Sequence, residues 1–144
     1  MRYFEISLYR VRPGHDSDWD TIVKMVKVAY EKIPEARWAT YRAQYGQEGT
    51  TYVVFTPLKS ASEIDQGFAR SKQFMANMGE DGMKKLSELL AATIETSQHN
   101  LFSFSPKMSY VSDEWIKADP DFWKPKAGAA AAPKKSEEKP ANSQ

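Results

Sequence analysis

Few residues in this chain carry reactive side chains, and their spacing limits the chemistry open to them. Glu5 lies in Tyr3-Phe4-Glu5-Ile6-Ser7-Leu8-Tyr9, where alternation places it on one strand face with Tyr3, Ser7, Tyr9 and Val11. A carboxylate held among rings and hydroxyls is a candidate general base. The structural alternative is an ion pair with Arg42 or Arg37 that fixes strand register. Arg42 could instead hold a carboxylate or phenolate ligand through its forked N–H donors. Tyr9 and Trp38, with Tyr41 and Tyr45, could stack on a flat aromatic ligand or serve as plain core, and Gln44 shares a strand face with Trp38 and Arg42. His99 is a candidate proton shuttle or haem ligand, though a lone histidine at a helix-to-strand junction can equally cap the helix. Glu5 and His99 are therefore the expected catalytic residues, and Tyr9, Trp38, Arg42 and Gln44 the expected ligand-binding ones.

Several chemistries have no residues to support them. The chain has no cysteine, which removes disulfides, thiol nucleophiles and thiolate metal sites. His15 reads as a solvated loop residue, and two histidines so far apart form no zinc pattern; no metal and no cofactor are expected. A phosphate-cradling glycine loop, a nucleophile elbow and a zinc-protease helix are all missing. Residues 126–144 hold four Lys and two Glu, so a net charge of +1 leaves −1 on the 125 residues before them. A near-neutral body without a basic stripe argues against nucleic acid as a partner. No apolar run approaches a membrane span. No leader-like segment precedes the first strand, so a cytoplasmic location is the default expectation, with export open if a leader has been removed.

The elements that would position these groups follow from periodicity. Tyr3 to Arg12 alternates as a strand and stops at Pro13-Gly14. Trp19, Ile22, Val23, Val26, Tyr30 and Ile33 recur at helical spacing behind a capping-box pattern, Ser17 with Asp20. Arg37 to Tyr45 and Thr50 to Thr56 read as a hairpin around Gly46-Gln47-Glu48-Gly49. Ser60-Ala61-Ser62-Glu63 opens a second helical region that breaks near Gly79 or Gly82, and Gln98 to Phe104 is a last strand. The order β-α-β-β-α-β predicts an α+β, ferredoxin-like domain over residues 1–105, with a four-stranded antiparallel sheet and both helix layers on one face.

With helices on one face, the other is expected to expose Tyr3, Tyr9, Val11, Trp38, Tyr52 and Val54. Such a patch is larger than a monomer usually leaves wet. A second copy set against it would bury on the order of 1,600 Å² and form a barrel, with Glu5, Ser7, Thr40, Arg42 and Gln44 inside. Residues 106–125 form an aromatic arm around Trp115 and Trp123, expected to pack on the domain or on a partner; residues 126–144 have the composition of a disordered tail.

The run Tyr3-Phe4-Glu5-Ile6-Ser7-Leu8-Tyr9-Arg10-Val11-Arg12-Pro13-Gly14 resembles the opening strand of NIPSNAP-type proteins of the dimeric α/β-barrel superfamily. The shared features are an aromatic-Glu-aliphatic start, a Tyr four residues after the Glu and a basic-Pro-Gly ending, and the element order agrees to about Ser105. The resemblance implies a homodimeric α/β barrel. Its superfamily includes cofactor-free monooxygenases, haem-handling enzymes, isomerases and members with no known reaction. Two functions are expected to compete: a barrel cavity that binds a small, largely apolar molecule and oxidises or isomerises it, or a non-enzymatic interaction module that uses the arm.

Overall fold

The structure, a computed structural model, describes residues 1–124; the tail expected at 126–144 lies outside them. Contacts divide the chain into two units, Met1–Phe104 and Ser105–Gln144. The first contains β1 (Tyr3–Val11), α1 (Asp16–Tyr30), β2 (Ala39–Arg42), β3 (Thr50–Leu58), α2 (Ser62–Thr93) and β4 (Ile94–Ser103). The strands form one antiparallel sheet in the order β2-β3-β1-β4. This is the ferredoxin-like α+β arrangement, with β1 and β3 central as the crossover rule requires.

Three boundaries differ from the periodic reading. β2 is confined to Ala39–Arg42, and the exposed Gln44 and Tyr45 fall in the loop before β3. Gly46 (φ 81°) and Gly49 (φ 62°) let that loop turn through the left-handed region. β4 begins at Ile94 rather than Gln98, so His99 sits mid-strand and not at a helix end. α2 runs from Ser62 to Thr93 with a kink at Gly79 (φ 71°, ψ 169°), one of the two positions where a break was expected.

The largest correction concerns which face the helices cover. Val11, Trp19, Ile22 and Leu86 form the buried core, with Tyr9, Tyr52 and Ile94 packed against it. Trp19 of α1 stacks on Tyr52 at 4.9 Å and meets Tyr9 at 5.4 Å between ring centroids. The face carrying Glu5, Ser7, Tyr9 and Val11 therefore lies under the helices and is not presented to a second copy. Both faces of β1 are apolar enough to be core, so alternation alone could not decide between them; the Trp19 ring did. The opposite face carries Phe4, Ile6, Leu8, Val53, Phe55 and Phe102 by register. Phe4 sits in an aromatic cluster there, 5.4 Å from Phe55, 5.2 Å from Phe102 and 5.0 Å from Phe104. No helix of this unit lies on that face.

In the second unit, α3 (Asp113–Ala118) and α4 (Pro120–Trp123) are short helices. Trp115 meets Trp123 edge-on at 5.8 Å, and Phe122 meets Trp123 at 5.0 Å. No helix among the described residues is long and apolar enough to cross a membrane.

Candidate functional site

Between the sheet and the helices of the first unit lies a cavity of about 460 Å³. Its sheet wall includes Glu5, Ser7 and Tyr9 from β1, Thr40 from β2, and Val54 and Thr56 from β3. The register explains this grouping: Glu5 faces Thr56, Ser7 faces Val54, and Val54 faces Thr40. Helical residues Trp19, Ile22, Val26, Tyr30, Leu86 and Leu90 close the other side. Trp38 enters just ahead of β2 and is held edge-on by Tyr30 at 5.3 Å. Most of the lining is apolar, with polar groups at a few points, the usual composition of a small-molecule site.

A hydrogen-bonded cluster sits on the sheet wall. The Ser7 hydroxyl lies 2.8 Å from His99 Nδ1 and donates to Glu5 Oε1 at 3.3 Å. Glu5 Oε1 and His99 Nδ1 are themselves 4.0 Å apart. Antiparallel pairing creates the cluster, because His99 of β4 stands directly opposite Ser7 of β1. Ser7 is buried, with 6% of its surface exposed, whereas the Glu5 and His99 side chains keep 45% and 53%. The Tyr9 ring stands edge-on to the imidazole at 5.6 Å. Burial pushes the Tyr9 phenol above its usual range, a hydrogen bond with Ser7 draws it partly back, and the Glu5 charge raises it further. Tyr9 is thus a neutral hydrogen-bond donor at ordinary pH.

The far end of the cavity has different polar groups. Arg37, Glu63 and Arg70 line it. Arg37 Nη2 is 3.7 Å from Glu63 Oε2, and Arg70 Nη2 donates to the Glu63 carbonyl at 2.9 Å. The Glu63 carboxylate also accepts from the Lys59 amide at 3.0 Å, one residue ahead of the Ser60 amide that the capping-box pattern predicts, and no side chain caps α2 at Ala61. Glu35, at the cavity lip, holds left-handed backbone at φ 64°, the one non-glycine to do so among the described residues.

The structure brings Glu5, Tyr9 and Trp38 to the cavity and joins His99 to it through Ser7. It does not bring Arg42 or Gln44 there. Arg42 faces Tyr52, four positions along β3 from the Thr56 opposite Glu5, a separation of roughly 13 Å at strand rise. Arg42 is exposed, and Gln44 donates to its carbonyl at 3.2 Å. The ion pair considered between Glu5 and Arg42 is therefore replaced by the Ser7 and His99 contacts, and Arg37 turns to Glu63. His15 also has a partner, its Nδ1 lying 2.8 Å from Asp18 Oδ2. Ser7 was legible as a face-mate of Glu5, but its partner was not, because that partner comes from a strand ninety-two residues later. Arg70 stands seven residues after Glu63 on α2, a two-turn spacing that offered a signal for their shared position. No group of three or more metal-ligating side chains gathers among the described residues.

No family model matches the sequence, and no curated protein sequence is similar to it. Solved structures share its fold. A NIPSNAP family protein of unknown function from Agrobacterium tumefaciens matches with a TM-score of 0.52 at 18% identity, over 74% of this chain and 94% of its own. An uncharacterised NIPSNAP-like domain protein from Burkholderia xenovorans matches with a TM-score of 0.53 at 11% identity, over 76% of this chain and 89% of its own. A cofactor-independent oxygenase from Streptomyces nogalater matches at 12% identity over 78% of this chain and 98% of its own, with a TM-score of 0.47, too loose a likeness to bear on activity. The chain has the ferredoxin-like α+β fold of NIPSNAP-like proteins, in agreement with the resemblance in its first strand.

Proposed function

We propose that this protein binds a small, largely apolar molecule in the cavity between its sheet and helices, and does so as a homodimer joined through the Phe4 face of the sheet. The observation that carries the ligand reading is the cavity itself: about 460 Å³, walled by rings and aliphatic side chains, with polar groups gathered at two places. The placement of Glu5, Tyr9 and Trp38 supports a metal-independent isomerisation, or an oxygenation with dioxygen as co-reactant, of the bound molecule. Arg42 and Gln44 have no part in this reading.

Homodimerisation is supported by the Phe4, Phe55 and Phe102 cluster, an apolar face without a helix of its own unit. Protein purified gently from its source should appear in native mass spectrometry as a dimer carrying extra mass. With the fluorescent probe 1-anilinonaphthalene-8-sulfonate, Trp38→Ala should weaken binding about tenfold, or about 1.4 kcal/mol, without changing the oligomer. Unchanged probe affinity would remove Trp38 from the site.

A second reading rests on the arm, where Met108 and Tyr110 are 89% and 105% exposed. These residues would serve a protein-interaction module. Deletion of residues 107–124 would then abolish partner capture while leaving the first unit folded; an intact partner complex after the deletion would rule this reading out.

A further inference from the structure

We infer that Glu5, Ser7 and His99 form a relay that carries a proton between a ligand in the cavity and solvent, and that the ligand is a small carbonyl compound with an ionisable C–H bond beside the carbonyl. The inference rests on the reading of the cavity as a ligand site.

The three groups are arranged in series. Glu5 and Ser7 line the cavity, whereas His99 lies behind Ser7 on the edge strand and is not part of the lining. The direct Glu5–His99 approach is 4.0 Å, so the Ser7 hydroxyl, at 3.3 and 2.8 Å from the two, is the shorter bridge. The hydroxyl is buried while both ionisable ends are about half exposed. Glu5 thus lines the cavity and His99, outside the lining, is reached by water, with the buried Ser7 between them. The order also differs from that of a serine hydrolase, because the carboxylate contacts the serine and not the imidazole.

One serine proton can serve both neighbours in two senses. With Glu5 ionised, Ser7 donates to Glu5 and His99 Nδ1–H donates to Ser7. With Glu5 protonated, Glu5 donates to Ser7 and Ser7 donates to an unprotonated Nδ1. Passage between these states moves one proton from Glu5 to His99. In the forward reaction the ligand C–H bond breaks, its electron pair shifts onto the carbonyl oxygen to give an enolate, and the proton forms the O–H of Glu5. For the next step the imidazole ring is neutral, with its hydrogen on Nε2 and Nδ1 bare. The proton on Glu5 passes to Ser7 Oγ as the serine proton passes to Nδ1, and the imidazolium releases its Nε2 proton to water. Exchange of the ring hydrogen from Nδ1 back to Nε2 through solvent resets the relay. Tyr9, on the same wall, supplies a neutral hydroxyl for the enolate oxygen. A carbonyl is required because a carboxylate removes a proton from carbon only where the departing electron pair can be delocalised.

The full chain can be tested in D2O with 2-tetralone, following loss of its C1 proton signal by NMR and its binding by quenching of tryptophan fluorescence. Wild-type protein should exchange the C1 protons faster than buffer alone. Glu5→Gln should slow exchange about 10²-fold or more, in line with removal of a general base. Ser7→Ala should slow it about tenfold with the probe still bound, and His99→Gln should slow it similarly and recover when imidazole is added to the buffer, which a purely structural role would not produce. A bound probe without exchange above buffer, or Ser7→Ala and His99→Gln indistinguishable from wild type, would overturn the relay and leave the cavity reading standing. Absence of quenching would overturn the cavity reading, and the relay with it.

Discussion

The two faces of the sheet are built from the same strands, residue by alternate residue, yet they have different contents. On one, Glu5, Ser7 and Tyr9 of β1 combine a carboxylate, a hydroxyl and a phenol beneath α1 and α2, and the packing leaves a cavity of about 460 Å³. On the other, Phe4, Phe55 and Phe102 stack into a ring cluster. Polar groups under helices are costly unless they find partners, and here they find one another. A ring cluster needs no partner groups, only cover. The contrast is what the proposed function draws on, with the ligand on the first face and a second copy of the chain on the other.

The comparison can be broken most severely at Trp19, 5% exposed and in contact with both Tyr9 and Tyr52. Trp19→Ala should destabilise the domain by about 3–5 kcal/mol, read from urea denaturation, because it removes the ring that joins α1 to the sheet. A cost below about 1 kcal/mol would mean that the helix face does not depend on this contact. On the opposite face, Phe4→Glu should convert the proposed dimer to a monomer in light scattering behind a sizing column, with the far-UV circular dichroism retained. Persistence of the dimer would place the interface elsewhere.

Alkaline pH sharpens the contrast more gently. Burial raises the Tyr9 and Tyr30 phenols above their ordinary range near pH 10. Below that pH both the folded and unfolded chains hold these protons and the stability is fully present. As pH rises past 10 the unfolded chain ionises first, so stability falls until the folded-state values are passed. Melting temperature should drop between pH 9 and 11, and Tyr9→Phe should make the drop shallower. The smallest effect belongs to the rim of the ring-bearing face, where Arg10 Nη1 meets Glu48 Oε2 at 3.0 Å and the Glu48 side chain is 91% exposed. Glu48→Ala should change stability by less than about 1 kcal/mol, and the change should vanish at high salt.

Much of the architecture was legible because it depends on local signals. Alternation in Tyr3 to Arg12, helical spacing from Trp19 to Tyr30, the glycines near 46–49 and Gly79 each mark an element or a break, and chain order then leaves few topologies. The boundaries of β2 and β4 were less legible. Tyr45 has strand character, but it is 93% exposed in a loop, since a β residue without a neighbour to pack against gains nothing from strand geometry. His99 read as a helix-end residue because β4 begins four residues earlier than its composition suggested.

The site shows the same division. Glu5, Tyr9 and Trp38 were identified as a chemically mixed group on one side of the sheet from alternation alone. Their partners were not: the link from Ser7 to His99 spans ninety-two positions of sequence, and the strand pairing that makes it is a tertiary fact. Arg42 shares the right face but stands at the wrong end of the strand, a distinction that only register makes. By itself, then, the sequence determined the element order, the ferredoxin-like fold and the alternation of polar and aromatic side chains, because each is written within a few neighbouring residues. Only the tertiary structure decided which face the helices cover and which groups meet across the strands, because both depend on pairings between segments far apart in the chain.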